Sequence, residues 1–327
     1  MWDAAEYQRF GGERARPFFD LLARVGVTNP GLVVDMGCGP GNLTAALAER
    51  WPAATVLGID SSPEMVQAAR LHDAPGLSFM RDDVRYWKPQ ALPDLIVSNA
   101  VLQWVPEHRE LLVDWAGRLG AGGWLAFQVP GNFDQPSHAL LREMASSPRW
   151  RPLLRDVALN RQSADPADYA ELLAQVGCEV DAWETTYIHI LRGEDPVLEW
   201  YKGSGLRPVL AALDEAQAAA FLAGYAAKLR AAYPPRPFGT VFPFRRVFAV
   251  AHRATRLAAD RHPRLTDGCD NHPVITGSVP HRSGPHRRRG PVQLATRYKH
   301  SFPIDLVGNF WQDHGHAPSP AAGSMSL

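Results

Sequence analysis

Residues 33–42 read Val-Val-Asp-Met-Gly-Cys-Gly-Pro-Gly-Asn, an apolar run that breaks into three glycines at alternate positions. The run predicts a buried strand, and Leu43 and Leu47, four apart beyond it, mark one face of a short helix. Gly37, Gly39 and Gly41 remove side chains where the backbone must turn sharply and let a ligand approach it closely. A strand–loop–helix unit of this kind builds an open α/β sheet. In such sheets ligands sit beyond the C-terminal ends of the strands, where this loop lies.

The surrounding pattern agrees. From residue 31 to about 130, short apolar runs alternate with amphipathic stretches, which predicts βαβ units and a parallel sheet. The expected strands are Leu32–Asp35, Thr55–Asp60, Leu77–Arg81, Asp94–Asn99 and Gly123–Val129. Leu111, Leu112, Trp115 and Leu119 mark a helix face between the last two, and Ser62-Pro63 starts another helix with a serine cap. Residues 3–26 read as one or two helices before the sheet. Beyond it, helices are expected at 136–146, 166–176, 194–202 and 214–232, and strands at 178–191 and 242–251. The sum is seven strands, with helical insertions at about 131–176 and 192–235 capping the C-terminal edge of the sheet.

Glycine spacing narrows the ligand. A dinucleotide fingerprint needs Gly-x-Gly-x-x-Gly, and counting from Gly37 the third glycine position is Asn42. What remains, Asp-x-Gly-x-Gly-x-Gly from Asp35, resembles the first motif of the class I S-adenosylmethionine-dependent methyltransferases. The resemblance implies a Rossmann-like, seven-stranded, mostly parallel α/β sheet and S-adenosyl-L-methionine as cofactor, with the loop from Asp35 through Gly37, Cys38 and Gly39 cradling its methionine end. It also implies that Asp60, followed by Ser61, accepts hydrogen bonds from the ribose hydroxyls. Asp83, beside Val84, would accept from the adenine amino group, with Asp82 as the close alternative. The segment Ser-Asn-Ala-Val-Leu-Gln-Trp at 98–104 supplies Asn99, Ala100, Gln103 and Trp104 as further contacts. Asn-Ala-Val-Leu stands where amino-methylating nucleic-acid enzymes carry Asn/Asp-Pro-Pro-aromatic, so small-molecule O-methylation is the better reading.

The segments Tyr7–Pro17, GIDSSPEM, GCEVDAWETTYIHIL, WYKGSGLRP and FPFRRVFAVA are similar, in this order, to the branch of that superfamily that methylates trans-aconitate. The likeness covers about residues 1–253, with residues 1–30 as an N-terminal helical lid. It implies esterification of one carboxylate of a small polycarboxylate. Such an acceptor is ionised at neutral pH, so the reaction needs alignment and dryness, with no general base and no catalytic residue in the strict sense. The carboxylates that do not react need fixed donors, above all Arg forks. In order of preference the candidates are His189, Tyr187, Arg207, Arg245 and Arg16, with Arg14 beside them and Trp104, Trp183 and Trp200 as pocket walls. Alternation on a strand puts Tyr187 and His189 on one face, and Arg245 and Arg246 on opposite faces, so only one of that pair enters a site. The alternatives are another small acid, amine or phenol as acceptor, or a protein that binds the cofactor without turnover.

Composition excludes other classes. Hydrophobic residues at 46% and charged residues at 21% give a globular chain, and 34 Lys/Arg balance 34 Asp/Glu, so no polyanionic partner is implied. Cys38, Cys178 and Cys269 are too far apart for a disulfide framework or metal cluster. No apolar run reaches the ~18 residues of a membrane span, and no secretory signal opens the chain. A cytoplasmic enzyme is expected, without nucleic-acid or membrane partners and with a monomer favoured. Residues 254–327 differ: nine Lys/Arg against five Asp/Glu, seven of the twelve histidines and no apolar periodicity predict a basic, poorly ordered tail.

Overall fold

A computed structural model describes residues 11–159 and 163–254; the expected tail from residue 255 on, the first ten residues and residues 160–162 lie outside the described residues. Helix α1 (Gly11–Leu22) leads into β1 (Leu32–Met36), α2 (Asn42–Arg50), β2 (Thr55–Asp60), α3 (Pro63–Ala69), β3 (Leu77–Arg81) and β4 (Leu95–Asn99). Then follow α4 (His108–Gly117), β5 (Trp124–Pro130), α5 (Pro136–Ala145), α6 (Arg151–Leu154), α7 (Pro166–Gln175) and β6 (Cys178–Leu191). The last elements are α8 (Pro196–Lys202), α9 (Arg207–Ala211), α10 (Glu215–Ala232) and β7 (Thr240–Arg253).

The seven strands form one sheet in the order β3-β2-β1-β4-β5-β7-β6. β1 to β5 are parallel, and β7 runs antiparallel between β5 and β6. The chain moves outward from β1 in one direction to β2 and β3, then returns to its other side at β4. That reversal opens a crevice at the C-terminal end of β1, the position where open α/β sheets bind ligands.

Both sheet faces are covered, as parallel sheets require. Phe18, Leu21 and Leu22 of α1, Leu47 of α2 and Val66 and Ala69 of α3 pack on one face. Leu111, Leu112 and Trp115 of α4 with Tyr169 and Leu173 of α7 pack on the other. The region 166–176, expected in the cap, is therefore a flanking helix of the sheet, because its apolar stripe finds β6 and α4. Its start is set by a capping box between Asp165 and Asp168. The described part of the N-terminal lid is also a flanking helix: Phe18 and Leu21 are fully buried against the sheet.

The cap has its own core of α5, α6, α8, α9 and α10, including Leu141, Trp150, Val197, Tyr201, Phe221 and Tyr225. Its attachment to the sheet follows from strand length. β6 and β7 pair over 14 residues, from Cys178↔Arg253 to Leu191↔Thr240, while β5 stays with β7 only as far as Pro130↔Arg246. The last bond between these two strands runs from Gly131 N–H to the Arg245 carbonyl at 2.9 Å, and beyond it the chain leaves the sheet. Residues 240–245 and their β6 partners thus project as a two-stranded ribbon, whose Leu191, Phe242 and Phe244 join the cap core. Among the described residues no helix is long and apolar enough to cross a membrane.

Candidate active site

The turn after β1 is held against the end of β2. Gly37 and Cys38 both donate their N–H to the Ile59 carbonyl, at 2.8 and 2.9 Å. This bend requires positive φ at Gly37 (85°) and Gly39 (55°), a region that L side chains adopt only with strain. At Gly37 there is also no room: a Cβ would lie 2.1 Å from Val101 Cγ2. At Gly39 a Cβ would meet nothing within 4 Å, so the loop backbone faces open space.

That space is a cavity of about 970 Å³, at the upper end of the ~300–1,000 Å³ usual for small-molecule sites. Gly37, Gly39, Asp60, Ser61, Asp83 and Val84 line one end of it, with Asn99, Ala100, Gln103 and Trp104 along its floor. The Asp60 carboxylate accepts from Gly39 N–H at 3.0 Å and Ser62 N–H at 2.9 Å. Burial raises its pKa, against those backbone hydrogen bonds, which lower it. Asp83 is clamped by Arg85, whose Nε and Nη2 reach both carboxylate oxygens, and this hydrogen bonding lowers its pKa. Of the two adjacent aspartates, Asp83 lines the cavity and Asp82 does not; Asp82 accepts from Asp83 N–H instead. Ala100 sits at φ 57°, a strained conformation for a non-glycine residue, at the tip of β4.

The other end belongs to the cap and to the sheet edge. His138, Trp200, Tyr201, Lys202, Arg207 and Arg246 contribute here, with Asn132 and Phe133 from the segment after β5. Arg246 is 4% exposed, lies over the Phe244 ring at 4.5 Å and donates to Gln128 Oε1 at 3.2 Å. Asn132 is fully buried and its Oδ1 has no hydrogen-bond partner among the described residues. Its Nδ2 is 3.5 Å from the Tyr201 hydroxyl, which pairs with Ser137 Oγ at 2.7 Å.

Several expected residues lie elsewhere. Asp35 is 2% exposed beneath the loop, where it accepts from Thr44 Oγ1 at 2.7 Å; burial is the main cause that lifts its pKa to about 7. It shapes the loop from behind, outside the cavity lining. Cys38 is buried behind the loop as well, and burial pushes its thiol pKa far up, which makes it inert. Tyr187 and His189 do share a face of β6, yet neither lines the cavity. Tyr187 donates to Asp20 at 2.6 Å, and His189 is packed among Trp200, Phe242 and Phe244. Burial, then Arg246 and Arg16, lower the His189 pKa to about 4, so at neutral pH it is no counter-charge.

The preference for Arg245 over its neighbour is corrected: Arg245 turns away to Glu184, Asp165 and the Gly131 carbonyl, and Arg246 takes the cavity side. Arg16 is exposed and stacks over the Tyr187 ring at 5.1 Å. Trp183 stacks on Phe248, away from the cavity. The Arg14 side chain lies outside the described residues. Asn132, His138, Tyr201 and Lys202 were not singled out by the sequence. For Asn132 a signal existed, since it lies just past the C-terminal end of a parallel strand.

The donor set discriminates between cofactor classes. A pyrophosphate against the glycine loop would meet the Asp60 carboxylate, whereas a nucleoside diol supplies the donors that a carboxylate wants. The open backbone at Gly39 and the acidic ends of β2 and β3 therefore fit a sulfonium nucleoside.

The comparisons with known proteins point the same way. A family model described as a methyltransferase domain matches residues 7–182. The chain is 56% identical over 254 residues to a trans-aconitate 2-methyltransferase of Rhodococcus jostii, spanning 77% of this chain and 99% of that protein. A protein of the same name from Streptomyces avermitilis is 54% identical over 260 residues, spanning 77% and 97%, and one from Mycobacterium tuberculosis is 49% identical, spanning 77% and 96%. With more than half of its length inside the domain model and full-length relatives at this identity, the chain belongs to the trans-aconitate 2-methyltransferase family of methyltransferases.

Proposed function

We propose that the protein transfers a methyl group from S-adenosyl-L-methionine to one carboxylate of trans-aconitate, giving a monomethyl ester and S-adenosylhomocysteine. The observation that carries this reading is one cavity with two chemically different ends. A backbone loop with acidic strand ends lies at one, and the guanidinium groups of Arg207 and Arg246 lie at the other. The names of relatives at 49–56% identity support the choice of acid.

When bound, S-adenosyl-L-methionine supplies an electrophilic methyl on a sulfonium. Asp60 and Ser61 hold its ribose, Asp83 and Val84 its adenine side, and Gly37, Gly39 and Asn99 its methionine end. The acceptor oxygen needs no deprotonation, since a carboxylic acid of ordinary pKa (~4) is ionised at pH 7. The chain's task is to align and to dry. Arg207 and Arg246 fix the carboxylates that do not react through charge-assisted hydrogen bonds, while Trp104, Phe133, Trp200 and Phe244 wall the cavity. Removing water favours a reaction in which a cation and an anion cancel, because separated charges lose more hydration than the less polar transition state.

Transfer of labelled methyl to trans-aconitate, cis-aconitate and citrate, with the ester position determined, tests this directly. A preference for trans-aconitate is expected. Transfer to phenols or amines in place of polycarboxylates, or none across the panel, overturns it.

A further inference from the structure

Asn99, Gln128 and Arg246 form a line of hydrogen bonds through the sheet. Asn99 and Gln128 are register partners on β4 and β5, and Arg246 is the partner of Pro130, two residues on from Gln128. Cross-strand partners, and residues two apart, share a face of a sheet, so all three side chains stand on the same side. Arg246 donates from Nη1 to Gln128 Oε1 at 3.2 Å, and Gln128 Nε2 donates to Asn99 Oδ1 at 2.6 Å. Gln128 itself is fully buried and does not line the cavity, whereas both of its partners do.

The direction of this line is forced. An amide is nearly symmetric in shape, so its partners decide which end faces where, and a guanidinium has only donors. Arg246 therefore holds the oxygen of Gln128 toward itself, which turns the Gln128 NH₂ toward Asn99. Asn99 must answer with its oxygen, and what it retains for a ligand is its NH₂. A ligand carboxylate at the cofactor end meets a donor there, not a repelling carbonyl.

We infer that Gln128 is a positioning residue that relays the donor-only character of Arg246 to Asn99, fixing the Asn99 amide as a donor toward the carboxylate of the cofactor's amino-acid end. This rests on the proposed function in taking the glycine-loop end as the cofactor end and Arg246 as an acceptor ligand. It makes the acceptor-side cation a determinant of cofactor affinity without contact between the two.

The test is a double-variant cycle on S-adenosylhomocysteine affinity, measured by calorimetry in the absence of any acid. Gln128→Met removes both bonds and frees the Asn99 amide to turn; affinity is expected to fall about 10-fold or more, the effect of a lost or reversed hydrogen bond to a charged group. Arg246→Met is expected to weaken binding several-fold, and the combined variant to bind no more weakly than Gln128→Met alone. Additive losses, or unchanged affinity in either single variant, overturn the proposal. A purely structural role lowers the melting temperature without producing this non-additivity. If Gln128→Met does not fold, Gln128→Glu serves: it keeps an acceptor for Arg246 but cannot donate to Asn99, so the same loss of affinity is expected and unchanged affinity overturns the inference. Wild-type protein that binds S-adenosylhomocysteine yet esterifies no acid sinks the proposed reaction and leaves the cycle readable. Wild-type protein that binds none sinks both.

Discussion

Arg245 and Arg246 are neighbours on β7 with opposite fates. Arg245 reaches Glu184, Asp165 and the Gly131 carbonyl, while Arg246, 4% exposed, turns into the cavity. Two guanidinium groups one residue apart thus have different surroundings, one tying the cap ribbon to its neighbours and one facing the cavity.

The pair gives a clean contrast. Arg246→Met is expected to raise the KM for trans-aconitate about 10- to 100-fold, the loss of charge-assisted hydrogen bonds. Arg245→Met should leave KM within about twofold and cost about 1 kcal/mol of stability or less, as part-exposed ion pairs do. Steady-state kinetics with denaturant melts decide; equal effects on KM remove the assignment of Arg246 to the acceptor.

Asp60 organises the loop before any ligand arrives, through the Gly39 and Ser62 N–H groups. Asp60→Ala is expected to weaken S-adenosylhomocysteine binding about 100-fold, two hydrogen bonds to a charged acceptor being worth roughly 3 kcal/mol. Asp60→Asn should fall between it and wild type. Unchanged affinity by calorimetry would contradict the ribose role.

Burial lifts the Asp35 pKa from 3.8 to about 7. The folded state then binds this proton more tightly than the unfolded state. Stability from this group is complete below about pH 4 and lost as pH rises toward 7, since it falls wherever the native state holds more protons. Melting temperatures of the ligand-free protein from pH 5 to 8 should decline in wild type and decline less in Asp35→Asn. Parallel curves would show that Asp35 does not titrate in this window.

Gly37→Ala combines a φ of 85° with a Cβ 2.1 Å from Val101 Cγ2. Left-handed strain of ~1–2 kcal/mol and overpacking of ~1–3 kcal/mol should together lower the melting temperature by roughly 5–15 °C for a domain of this size. Gly39→Ala bears only the conformational cost and should melt closer to wild type. Adding Val101→Ala to Gly37→Ala should recover part of the loss; no recovery would place the strain elsewhere.

The glycine-loop end of the cavity was legible because its rules are local. The glycine spacing after β1 and the aspartates ending β2 and following β3 each belong to one strand and its following turn. A parallel sheet brings those turns together whatever the rest of the chain does, so sequence order sufficed to gather Gly37, Gly39, Asp60 and Asp83 at one crevice. The alternation that puts Tyr187 with His189, and Arg245 against Arg246, was equally a property of the strand alone.

Which face looks into the cavity was decided by tertiary structure. It depends on where β5 releases β7, at Pro130 opposite Arg246, and on Glu184 and Asp165 standing where they draw Arg245 outward. The same long-range packing surrounds His189 with Trp200, Phe242 and Phe244 and holds it neutral, seats α7 on the sheet, and brings Asn132, His138 and Tyr201 together from separate elements. A strand's period fixes which residues share a side. Only the competition of distant partners for that side, through burial and charge, determines what the side faces.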